Sequence, residues 1–135
     1  MDKKIAHLNM IQGVINRMAK NSFALKGWAV TLLAGLFALA SKDSNKSYFL
    51  IAYLPIVTFW LLDSFYLSRE RRYRSLFELV RATDEESIDF NMNSKLFKDE
   101  HKNSYIDSLL SITELVFYTP LAIVPIIAII ISTLC

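Results

Sequence analysis

The chain carries two kinds of hydrophobic pattern. Residues 23–41, 47–67 and 112–135 are apolar on nearly every side, whereas residues 3–21 and 68–111 set apolar positions among charges. At about 1.5 Å per helical residue, roughly 20 residues cross the ~30 Å hydrocarbon core of a bilayer. The second and third apolar stretches meet that length. The first is shorter, because its clean run starts at Gly27 and Lys26 must reach back to the headgroups. Residues 122–131 are Ile, Val, Ala and Pro throughout, with no polar face to turn to water, which excludes a soluble helical domain. The expected fold class is an all-α membrane protein. It would have an N-terminal amphipathic helix (1–22), a transmembrane hairpin (23–67, with spans 23–41 and 47–67), a cytoplasmic helical segment (68–111) and a third transmembrane helix (112–135).

The polar-patterned stretches predict helices of another kind. Ile5, Leu8, Ile11, Ile15 and Met18 recur at spacings of three and four, so residues 3–21 form an amphipathic helix, weakened at Gly13 by about 1 kcal/mol relative to alanine. Three uses are open to it: lying in the inner headgroup layer, packing on a copy of itself or on the other cytoplasmic helix, or moving as a latch. After Leu67 no breaker occurs, and Tyr73, Leu76, Phe77 and Val80 give an apolar side. The second span is therefore expected to continue as one helix over 47–83, with Pro55 kinking its membrane part. Spacings Glu70–Arg74 and Glu78–Arg81 suit surface ion pairs. Residues 41–46 form a polar turn that makes spans one and two an antiparallel hairpin. Residues 84–93 are acidic and polar and predict a loop, and the pattern from Ser94 onward is helical again. Pro120 and Pro125 would bend the third span.

Charge sets the orientation. Lys3, Lys4, Arg17, Lys20 and Lys26 precede the first span, and Arg69, Arg71, Arg72, Arg74, Arg81, Lys95, Lys98 and Lys102 lie between the second and third, against only Lys42 and Lys46 in the short link. The positive-inside rule then puts the N-terminus and residues 68–111 in the cytoplasm of a bacterial inner membrane, with the C-terminus outside. Trp28 falls in the inner aromatic belt. The net charge of +2 adds nothing to this, and Cys135 has no partner for an internal disulfide. With 135 residues there is no room for a separate catalytic domain.

Little in the chain points to chemistry. His7 and His101 lie far apart in polar, exposed-looking stretches, and no metal-binding, nucleophile-elbow or phosphate-loop motif occurs. An enzyme is not expected, nor a metal or cofactor. The residues that matter are those charged or small within lipid. Lys26, Asp63 and Glu114 are expected at similar depth near the inner interface, where a charge must face a partner, a bundle interior or water. They form either an ion-pair collar that locks three helices together, or, in an oligomer, a carboxylate ring at the inner mouth of a cation pore. Gly27, Thr31 and Gly35 stand at successive four-residue steps with Ala34 and Ala38 beside them, a small-residue face for helix contact or for lining a pore. Arg69, Arg71, Arg72 and Arg74 either bind anionic lipid or, collected from several copies, form a collar for an anionic ligand such as a nucleotide.

Two strings, HLNMIQGVINRMAKNSFALKGW at 7–28 and LDSFYLSRERRYR at 62–74, cover about a quarter of the chain. They resemble the small bacterial membrane effectors of Hailong-type anti-phage defence systems. The resemblance implies a homo-oligomeric channel-like effector encoded beside a nucleotidyltransferase, whose nucleotide or oligonucleotide product controls opening, with depolarisation when the brake is released.

Three spans are too few to enclose a conduit, so a channel requires several copies around an axis, of which a tetramer is one arrangement. The expected function is an oligomeric ion-conducting membrane effector gated from the cytoplasmic side. The alternatives are a non-conducting scaffold or adaptor that recruits a soluble partner, and a holin-like disruptor of the bilayer.

Overall fold

The computed structural model describes residues 2–43, 47–97 and 103–134. No strand occurs among them. The helices are α1 (Asp2–Asp43), α2 (Ser47–Ile51), α3 (Tyr53–Arg81), α4 (Tyr105–Leu109) and α5 (Ile112–Leu134), with 3₁₀ turns at Glu85–Ser87 and Ser94–Phe97. Three segments are long and apolar enough to cross a membrane, within 2–40, 47–81 and 112–134. The polar turn expected at 41–46 falls partly outside the described residues, as do Lys98, His101, Lys102 and Cys135.

The first difference from expectation is that 1–22 and the first span are not separate elements. A single helix of 42 residues joins them. Between Met18 and Leu25 the chain offers no glycine or proline, and once nucleated a helix adds one hydrogen bond per residue fixed. The interruption lies instead in the second segment, at Ala52. Pro55 has no N–H to donate to the Ile51 carbonyl, so the ladder lapses there. It resumes through a long Ile56 N–H bond to the Ala52 carbonyl, at 3.4 Å. α5 runs through both Pro120 and Pro125 as one helix, with Pro125 buried. The stretch after Ser94 is not one helix leading into α5. It is a 3₁₀ turn and the short α4, whose N-cap Ser104 accepts from the Asp107 N–H, followed by a break at Leu110–Ser111.

α1 and α3 pack antiparallel along most of their length, which the order of their contacts shows directly. At one end Ile11 and Ile15 pack on Leu76 and Val80, with Leu8, Tyr73, Phe77, Ile88, Met92 and Phe97 around them. At the other, Ala29 and Leu33 pack with Ala52, Ile56 and Tyr118, backed by Phe37, Phe59, Trp60 and Phe117. Ile11 and Ile15 of the N-terminal stripe are thus buried on the polar continuation of α3, whereas Ile5 stays exposed. α5 joins the second cluster only, through Tyr118 and its neighbours. The 84–93 segment folds back over the start of α1, where the Glu85 carboxylate accepts the Lys3 and Lys4 backbone N–H groups at 2.8 and 3.0 Å. Those are first-turn amides with no intrahelical partner, at the positive end of a long helix.

Candidate functional site

Between the two packed clusters, where polar sequence gives way to apolar, the chain buries its charges. Lys26 is on α1, Asp63 on α3 and Glu114 in the first turn of α5. Both carboxylates are fully buried, and the Lys26 side chain keeps 19% of its surface. The ammonium pairs with Asp63 and also reaches Glu114 at 3.3 Å, so one cation ties three helices.

The two carboxylates are not equally provided for. Asp63 accepts from the Ser22 hydroxyl through Oδ1, and from Lys26 and, at 2.9 Å, the Tyr118 hydroxyl through Oδ2. Glu114 has long contacts only, from Lys26 at 3.3 Å and Ser64 at 3.5 Å. Lys26 also donates to Ser22 at 3.0 Å. Its ammonium lies 5.7 Å from the Phe117 ring centre and 5.9 Å from that of Tyr118, within cation–π range. Helical spacing explains the convergence. Ser22 and Lys26 are one turn apart on α1, and Glu114 and Tyr118 one turn apart on α5, so each pair shares a face.

Of the two roles open to Lys26, Asp63 and Glu114, the intrachain collar is the one this geometry supports, since each carboxylate faces the same ammonium inside the protomer. Arg69 takes no part in it and lies over the Phe65 ring at 5.0 Å. Ser22, Ser64 and Tyr118 complete the cluster. The sequence signal for them was a hydroxyl one turn from, or beside, each charge.

The small-residue face is where spacing put it. Gly27, Thr31, Gly35 and Ala38 are all exposed, while Ala29, Leu33 and Leu36 turn to the core. A Cβ built on Gly27 or Gly35 meets nothing within 4 Å. Thr31 donates its hydroxyl to the Gly27 carbonyl at 2.9 Å, which satisfies it within its own helix. This face plays no part in the packing of the single chain. Trp28 is 60% exposed beside it.

The four arginines do not converge in one protomer. Positions 69, 71, 72 and 74 fan around the helix at about 100° per residue. Arg69 covers Phe65, Arg74 pairs with Glu70 at 3.3 Å, and Arg71 lines a cleft at the start of α5. Glu78 and Arg81 pair at 2.7 Å, on the spacing expected of them.

One residue differs from its sequence expectation outright. His7, expected exposed, is fully buried beneath the 84–93 segment. Its Nε2 donates to the Asn91 carbonyl at 2.9 Å, and its ring lies 5.4 Å from that of Phe90, which holds a left-handed backbone at φ 56°. Its Nδ1 has no hydrogen-bond partner among the described residues. Helical spacing puts His7 on the face of Ile11 and Ile15, but the segment that covers it is more than 80 residues away.

Comparison of the chain with models of protein families, with curated proteins and with solved structures finds no match.

Proposed function

We propose that the chain is the subunit of an oligomeric, ion-conducting effector in a bacterial inner membrane, opened from the cytoplasmic side and depolarising the cell when open. The observation that carries this reading is the uninterrupted path of α1, and of α3 beyond Ala52, from a polar packed cluster into an apolar one. A displacement at Ile11, Ile15, Leu76 and Val80 is carried into the spans by the same rigid helices. The exposed small-residue face of α1 supports assembly, because in lipid close backbone approach replaces the hydrophobic force between helices. The charge distribution supports the orientation, with the N-terminus and residues 68–111 inside and the C-terminus outside. In this reading the Lys26–Asp63–Glu114 collar holds each protomer together at the level of the inner interface. An anionic nucleotide, the ligand implied by the resemblance, would need arginines from several copies around the axis.

Membrane potential in cells expressing the chain, followed by planar-bilayer recording of the purified oligomer, tests the reading. Depolarisation of intact cells together with discrete conductance steps is expected. A stable potential, including with its genomic neighbours present under phage challenge, would leave a scaffold. Irregular lesions without unitary steps would leave a disruptor.

A further inference from the structure

Sequence alone leaves Arg69, Arg71, Arg72 and Arg74 equivalent, but the fold does not. Arg71 lines a cleft with Asp107, Ser111, Ile112 and Thr113 at the beginning of α5. Farther into the apolar half, α3 and α5 part to form a groove of about 340 Å³, walled by Val57, Trp60, Leu115, Thr119 and Ile126 among others. The two openings share their faces. Ile112, Leu115, Thr119 and Ile126 recur at helical intervals along α5, and Val57, Trp60 and Arg71 do the same along α3.

Their chemistry is complementary. The groove is apolar, and the polar ends of its aromatics are already engaged. Tyr53 donates to the Ala122 carbonyl at 2.6 Å and Trp60 Nε1 to the Leu109 carbonyl at 3.0 Å, so rings and methyl groups form the wall. The cleft offers a guanidinium and the positive end of a 23-residue helix. The Asp107 carboxylate also lines it and is engaged by the Ser104 hydroxyl at 2.7 Å. An occupant with one hydrocarbon chain and an anionic head matches both openings at once.

We propose that this composite surface binds one anionic phospholipid, its phosphate between Arg71 and the start of α5 and one acyl chain in the groove beside Trp60. A basic residue at this depth gives about a fivefold preference for an anionic over a zwitterionic headgroup. The site belongs to the single protomer and does not depend on conduction.

Trp60 is its reporter. The chain has two tryptophans, so Trp28→Phe leaves Trp60 alone. The full-length variant is reconstituted in mixed phosphatidylglycerol and phosphatidylcholine vesicles, with one lipid or the other brominated along its acyl chains. Brominated phosphatidylglycerol is expected to quench Trp60 with a relative binding constant about fivefold above that of brominated phosphatidylcholine. Arg71→Gln should bring the two together while quenching persists, and Arg71→Lys should restore most of the preference. Equal quenching by both lipids in the protein that keeps Arg71 overturns the proposal, with no need of the Arg71 variants. So does weak quenching by both, which would mean that protein fills the groove.

Discussion

The two ends of the α1–α3 pair are packed by the same helices with different residues. In the polar half the buried positions are Ile11, Ile15, Leu76 and Val80, whereas in the apolar half alanines, Ala29 and Ala52, stand beside Leu33 and Ile56. Water makes the difference. Where the outer face is wet, burying a large aliphatic side chain is worth about 1.5–3 kcal/mol, so large residues are placed inside. Where the outer face meets lipid, moving a leucine inward gains little. Small residues that bring backbones close, and polar groups with no other partner, then hold the helices. Lys26, Asp63 and Glu114 sit at the junction of the two regimes and belong to the second. Exposed Leu32, Leu54, Leu62, Ile127 and Ile130 along the spans make the same point from outside.

The sharpest way to break this comparison is to remove the cation at the junction. Lys26→Met leaves two fully buried carboxylates without it, a loss expected at about 3–5 kcal/mol and read as a fall in thermal stability in detergent micelles. Adding Asp63→Asn to that variant should recover part of the loss, because one buried charge fewer then lacks a partner. Next in size is the wet core. Leu76→Ala should cost about 2–5 kcal/mol and speed proteolysis between residues 81 and 97, while Ile56→Ala in the apolar half costs less under the same assay. Equal losses at the two positions would mean that lipid and water drive the packing alike. The smallest effect is local. Glu85→Gln weakens the charged acceptor at the start of α1, so the Lys3 and Lys4 amides should exchange faster with the melting temperature unchanged.

Much of the helix plan was legible, and the failures are instructive. Each of the three apolar stretches falls in a helix long and apolar enough to cross a membrane, and of the stripe on α1 Ile11 and Ile15 are buried while Ile5 is half exposed. The break between the amphipathic helix and the first span was misplaced, because a change of polarity is not a change of backbone. No residue there stops a helix, and none does. Pro55 disturbs the helix as expected, but its missing N–H acts one turn upstream, at Ile51 and Ala52. The helix expected after Ser94 does not form as one piece. Its apolar residues are shared between a 3₁₀ turn and α4, and Asn103 ties that turn to α3. Its side-chain amide donates to Ser75 at 2.8 Å and to the Phe97 carbonyl at 2.9 Å, while its own carbonyl accepts from Ser68 at 2.7 Å.

The sequence by itself determined which stretches are apolar enough for lipid, and that Lys26, Asp63 and Glu114 needed partners. Each of these follows from the cost of putting a side chain into the wrong solvent, a property of the residue and its near neighbours. Tertiary structure alone decided that one lysine serves both carboxylates, that His7 is buried beneath a segment over 80 residues distant, and that Arg71 shares a cleft with the start of α5. Those outcomes depend on how three helices are rotated about their axes and where they cross, and helical period fixes a face without fixing what it meets.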